Sequence, residues 1–132
     1  EAQWEYACRA GTTSAFNNGD DLKTETDFGT LKATLGLNNR HAGGAYQPNS
    51  WGLYDMHGNL LEWVLDRWQE DLGTADVVDP NGPSTGTKFS TRGSAYMAKD
   101  SFKYASFSRE NGGMNRYGST GLVSYRLACR LD

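Results

Sequence analysis

Two carboxylates, Asp55 and Glu62, stand seven positions apart in the run Asn49-Ser-Trp-Gly-Leu-Tyr-Asp-Met-His-Gly-Asn-Leu-Leu-Glu-Trp63. Carboxylates are hard oxygen donors. They suit calcium, which gathers about six to eight oxygens from side chains, carbonyls and water. The same two groups can instead cap turns or pair with a cation such as Arg67 or Arg92. Other metal-capable residues are sparse. His41 and His57 are isolated and no C-x-x-C spacing occurs, so no zinc site is expected. His57 is expected to hydrogen-bond a loop carbonyl. Cys8 and Cys129 lie near opposite ends. A disulfide between them would close a very long loop, worth about 4–5 kcal/mol in the chain-entropy view; two buried free thiols are the alternative.

The elements that must position these groups are few. At 132 residues the chain is one domain at most. Sixteen glycines and a negative mean hydropathy imply a loop-rich fold. Four tryptophans, seven tyrosines and five phenylalanines can still build its core, because each buries a large area. A net charge of −3 argues against a nucleic-acid partner, which needs a basic face. No apolar run is long enough to span a bilayer. The chain opens on Glu1 inside a helical pattern, which reads as a fragment lacking its N-terminal part. Location stays open, with the extracellular space or cell surface as one option.

Residues 1–9 read as a short helix with Trp4 and Cys8 at i, i+4 and Gly11 placed to end it. Residues 12–47 form a long irregular region. Residues 53–56 suggest a short buried strand. Residues 60–68 suggest a second strand in which Leu61, Trp63 and Leu65 alternate with Glu62, Asp66 and Arg67. A loop over 69–87 carries Asp79-Pro-Asn-Gly-Pro83. Residues 88–92 and 123–130 read as strands, 100–109 as a short strand, and 110–121 as a loop.

Four segments, in order, resemble the formylglycine-generating enzyme, or sulfatase-modifying factor, domain family. They are Glu1-Ala-Gln-Trp-Glu-Tyr-Ala-Cys-Arg-Ala-Gly-Thr12, the run at 49–63, Arg92-Gly93 with Tyr96, and Tyr125-Arg126-Leu127-Ala128-Cys129. The resemblance implies a single α+β domain over residues 1–132 with a C-type-lectin-like fold: small twisted antiparallel sheets, two short helices and extensive ordered loops. It also implies a structural calcium ion, with side-chain oxygens from Asp55 and Glu62 and carbonyls from Gly58 and Leu60. No second ligand set is recognisable over 28–47.

The family's oxidation of a cysteine to formylglycine needs two thiolates that bind copper(I), a soft ion. Laying the family's Arg-Gly-Gly-Ser-(Tyr/Trp) turn on Arg92-Gly93-Ser94-Ala95-Tyr96 puts those thiols at Ala98 and Lys103. The serine of the turn becomes Ala95, and a tryptophan near the site becomes Leu61. No copper is therefore expected. Cys8 and Cys129 fall on positions tied to the frame. The family's iron-dependent sulfoxide synthases need a histidine-rich site that His41 and His57 do not supply.

A non-catalytic binding or scaffolding module for a protein or small molecule is the leading expectation. One alternative is a variable protein of a diversity-generating retroelement, with contacts in 95–124. That stretch is rich in adaptable polar and aromatic side chains. Tyr96, Met97, Lys99, Arg109, Asn111, Asn115, Arg116 and Tyr117 are its candidate contacts. The other alternative is a sulfatase-modifying oxidoreductase whose active site is not the aligned one.

Overall fold

The computed structural model describes residues 1–18, 32–33, 35–113 and 121–128. Helix α1 (Ala2–Arg9) buries Trp4 and Cys8 on one face. Glu5 sits in its first turn and Arg9 in its last, matching the helix dipole, and the two pair at 2.8 Å across one turn. The helix closes with Ala10 as its C-cap, and Gly11 follows at φ 92° in the terminating position expected of it. Ala10 adopts the left-handed conformation and returns its N–H to Tyr6 O.

Strands β1 (Leu61–Arg67), β2 (Phe89–Arg92), β3 (Glu110–Asn111) and β4 (Val123–Ser124) form one sheet in the order β3-β2-β1-β4. β2 runs antiparallel to both β1 and β3, with Glu62 opposite Arg92 and Thr91 opposite Glu110. β4 runs parallel to β1, with Glu62 opposite Ser124, so the expectation of wholly antiparallel sheets is corrected.

Several element assignments also change. Residues 53–56 form no strand. The expected strand over 100–109 is instead a 3-10 helix (Ser101–Tyr104), because the Asp100 carboxylate accepts Phe102 N–H and caps it. The last strand is only two residues long, and residues 110–111, read as loop, pair with β2. On β1 the inward face is the opposite of the expected one. Glu62 is buried and Val64 packs on the core, while Leu65 is 84% exposed. Glu62 can point inward because its charge is met there by Trp4 and Arg126.

Among the described residues, two apolar clusters carry the packing. One joins Trp4, Cys8 and Met56, with Leu53 and Val64 against it. The other joins Phe16, Leu35, Leu37, Tyr104 and Ala105. Gly58 lies under the second cluster at φ 80°, and a Cβ there would meet Leu37 Cδ2 at 2.6 Å. Two asparagines tie the loops. Asn49 donates to Ala7 O and Cys8 O in the last turn of α1 and accepts the N–H groups of Trp51 and Leu53. Asn59, in the left-handed region that asparagine tolerates, exchanges two hydrogen bonds with the backbone of His41. No helix of the described residues is long and apolar enough to cross a membrane.

Candidate ligand site

The glycine-broken run and the closing segment meet at an open cleft of about 460 Å³. Asp55, Leu60 and Glu62 line it together with Tyr54, Tyr125 and Arg126. Three of the four expected calcium ligands are thus brought together. Gly58 is not among the lining residues; its N–H bonds Gly93 O at 2.6 Å beneath the Leu37–Tyr104 packing.

Glu62 is not free. Its Oε2 accepts Trp4 Nε1 at 2.7 Å and Arg126 Nε at 2.6 Å, and its Oε1 accepts the second arm of the guanidinium. The partner is therefore Arg126, neither Arg67 nor Arg92. Arg67 lies over the Phe89 ring, and Arg92 is buried against Glu5, Ser106 O and the Trp4 ring. Asp55, at φ 57°, accepts Gly44 N–H on Oδ2, and its Oδ1 lies 3.8 Å from His41 Nδ1. A calcium ion here would have one unshared carboxylate and a guanidinium beside it. The residues present do not fit that ion, which wants about six to eight oxygens and no adjacent cation.

His57 bonds a backbone carbonyl, as expected, and joins three segments. Its Nδ1 lies 2.7 Å from Tyr104 O, and its Nε2 accepts Asn17 N–H at 3.2 Å and stands 3.6 Å from Cys8 Sγ. The carbonyl fixes the proton on Nδ1, leaving Nε2 as acceptor. Burial lowers the imidazole pKa to about 4 and raises the Cys8 thiol to about 12, so both groups are neutral. A neutral, buried thiol is a poor nucleophile and a poor metal ligand. Cys8 is free, and Cys129 lies outside the described residues.

The positions aligned with the copper thiols diverge. Ala98 packs against the Phe16–Tyr104 cluster, whereas Lys103 is half exposed, its Nζ 4.0 Å from Glu110. Ala95 is buried. Of the expected ligand contacts, Met97, Lys99 and Asn111 are exposed, and Tyr96 is half-buried with its N–H on Asn59 O. Arg109 does not belong with them. It clamps Glu1 through two nitrogens, bonds Gln69 O and lies over the Trp68 ring, leaving its side chain 16% exposed. Asn115, Arg116 and Tyr117 lie outside the described residues.

Sequence reasoning missed Arg126 and Asn49 as organising groups. Arg126 appeared only as part of the frame, and nothing local to it signals a partner 64 residues away.

A family profile described as the sulfatase-modifying factor enzyme 1-like domain matches residues 1–128. The chain is 30% identical over 115 residues to the formylglycine-generating enzyme of Mus musculus, covering 79% of this chain and 31% of that protein. Among solved structures it is similar to Treponema denticola variable protein 1, with a TM-score of 0.67 and 28% identity over 86% of this chain and 40% of the other. It is also similar to PvdO from Pseudomonas aeruginosa, with a TM-score of 0.62 and 25% identity over 86% of this chain and 45% of the other. The small curled sheet with its helix is accordingly a C-type-lectin-like α+β fold. The chain spans about a third of the length of the mouse relative.

Proposed function

We propose that this chain, which belongs to the sulfatase-modifying factor enzyme 1-like domain family, is a ligand-binding or scaffolding module rather than an oxidase. The observation that carries this reading is the state of the two aligned thiol positions. One is a methyl packed on the core, and the other is an ammonium facing Glu110. Neither is a soft anion, and an ammonium repels copper(I). Cys8, the cysteine among the described residues, is buried and neutral. The test is incubation of the protein with copper(I), oxygen and a cysteine-containing sulfatase peptide, read by mass spectrometry. No formylglycine product is expected, and its copper-dependent appearance would overturn the reading.

A second reading is favoured by the exposed side chains between β2 and β3. Met97, Phe102 and Phe107 are 60%, 69% and 45% exposed, with Lys99 and Lys103 beside them. Exposed side chains of this mix suit a diversified ligand surface of the retroelement kind, and the likeness to a variable protein supports it. A near-copy of the DNA encoding residues 95–124 beside a reverse transcriptase gene would establish it; its absence from the complete locus would remove it.

A further inference from the structure

We propose that the cleft beside Asp55 binds an ammonium head group carried on a short apolar stem. The proposal rests on the binding-module reading and names a ligand class for it. The argument begins with charge. Among the described residues, three charged side chains line the cleft: Asp55, Glu62 and Arg126. Arg126 sits on Glu62 with two nitrogens, so that pair is internally neutral. Asp55 remains. One of its oxygens accepts Gly44 N–H, while Oδ1 receives no hydrogen bond among the described residues, with His41 Nδ1 3.8 Å away. Among the described lining residues the net charge is therefore negative and rests on Asp55, which disfavours anions and favours a positively charged ligand.

The walls narrow the class further. Tyr54 and Tyr125 line the cleft and are 43% and 74% exposed. Aromatic faces attract an ammonium through the ring quadrupole and tolerate its alkyl groups. Leu53 and Leu60 add apolar wall, which suits a methylene stem and not a hydrated metal ion. The rim is left open by two glycines. A Cβ on Gly43 would stand 3.7 Å from Asp55 Oδ2, and one on Gly44 would stand 3.8 Å from Tyr54 Cδ1. These are ordinary contact distances, so the space beside both the carboxylate and the ring is available to ligand atoms. A volume of about 460 Å³ accommodates a small ligand of this kind.

The test is an NMR chemical-shift titration of the whole chain with butylammonium chloride, using 1-butanol as the uncharged control. Saturable shifts at Gly43, Gly44, Tyr54 and Asp55 are expected with butylammonium and not with 1-butanol. Asp55→Asn should keep the fold, since asparagine accepts both the left-handed backbone and the Gly44 N–H. It should weaken binding at least about tenfold. Parallel titrations with Nα-acetyl-lysine amide and tetramethylammonium chloride show whether a protein lysine or a quaternary amine is the preferred source. An equal response to 1-butanol, unchanged binding in Asp55→Asn, displacement of butylammonium by calcium chloride at matched ionic strength, or no saturable shift would each overturn the assignment. Any of these without formylglycine formation leaves the module reading standing, because only the copper assay bears on that.

Discussion

Arg126 and Glu62, 64 residues apart in the chain, meet as a two-pronged ion pair that fastens β4 to β1 at the edge of the cleft. Glu62 is almost wholly buried, and Trp4 donates to the same carboxylate. Removing the guanidinium leaves a buried charge with a single neutral donor. Arg126→Ala is expected to cost about 2 kcal/mol, below the range for fully buried pairs because Arg126 is partly exposed. Urea unfolding followed by tryptophan fluorescence checks this. Arg126→Lys should recover only part of the loss, since an ammonium cannot span both carboxylate oxygens.

The same pair sets the response to calcium. With Arg126 in place, the unfolding midpoint should be equal in calcium chloride and in chelator, measured by differential scanning fluorimetry at constant ionic strength. A calcium-dependent rise in the wild-type chain would show that the ion displaces the guanidinium.

His57 makes stability depend on pH. Its folded pKa, about 4, lies below the ordinary 6.5, so the unfolded chain binds the extra proton first as pH falls. The stabilisation is whole above about pH 6.5 and is lost progressively toward pH 4, by about 3 kcal/mol in all. Urea midpoints measured across this window should fall with acidity, and the slope should flatten in His57→Asn. A slope unchanged by that substitution would remove His57 as the cause.

Gly58→Ala should destabilise by more than about 2 kcal/mol. The backbone at φ 80° already costs a non-glycine residue about 1–2 kcal/mol, and the new methyl would lie 2.6 Å from Leu37 Cδ2. The paired variant Gly58→Ala with Leu37→Ala separates the two terms in a double-mutant cycle. A coupling near zero would show that the backbone alone is responsible.

Legibility followed the range over which each signal acts. Helix α1 was readable because Trp4 and Cys8 repeat at helical spacing, and β1 because Leu61, Trp63 and Leu65 alternate with charged residues, while β2 is a short extended stretch set between turn residues. The facing of β1 was not, because hydrophobicity sends Leu65 inward and Glu62 outward. Only a partner from a distant segment reverses that order. Residues 100–109 misread for a local reason: Phe102 and Tyr104 alternate like a strand, but the Asp100 cap wins the first turn. At the site, Asp55 and Glu62 were found by their motif. Whether their charges were free depended on Arg126 and could not be seen from 49–63. Arg109 looked like a surface contact because arginine usually is one, and its three-way engagement with Glu1, Gln69 and Trp68 needed the fold.

The stretch from Gly93 to Arg109 leaves β2 and returns at β3, with Thr91 opposite Glu110 closing its base. It is also moored midway, where Tyr104, Ala105 and Ser106 are buried, Ser106 N–H bonds Ala15 O and Tyr104 bonds Ala98 O. The segment therefore behaves as two short exposed arms rather than one long loop. For a designer of display scaffolds this divides the positions cleanly. Met97, Lys99, Phe102, Lys103 and Phe107 can be randomised without touching the moorings, whereas a library that reaches 104–106 would be selecting for folding before it selected for binding.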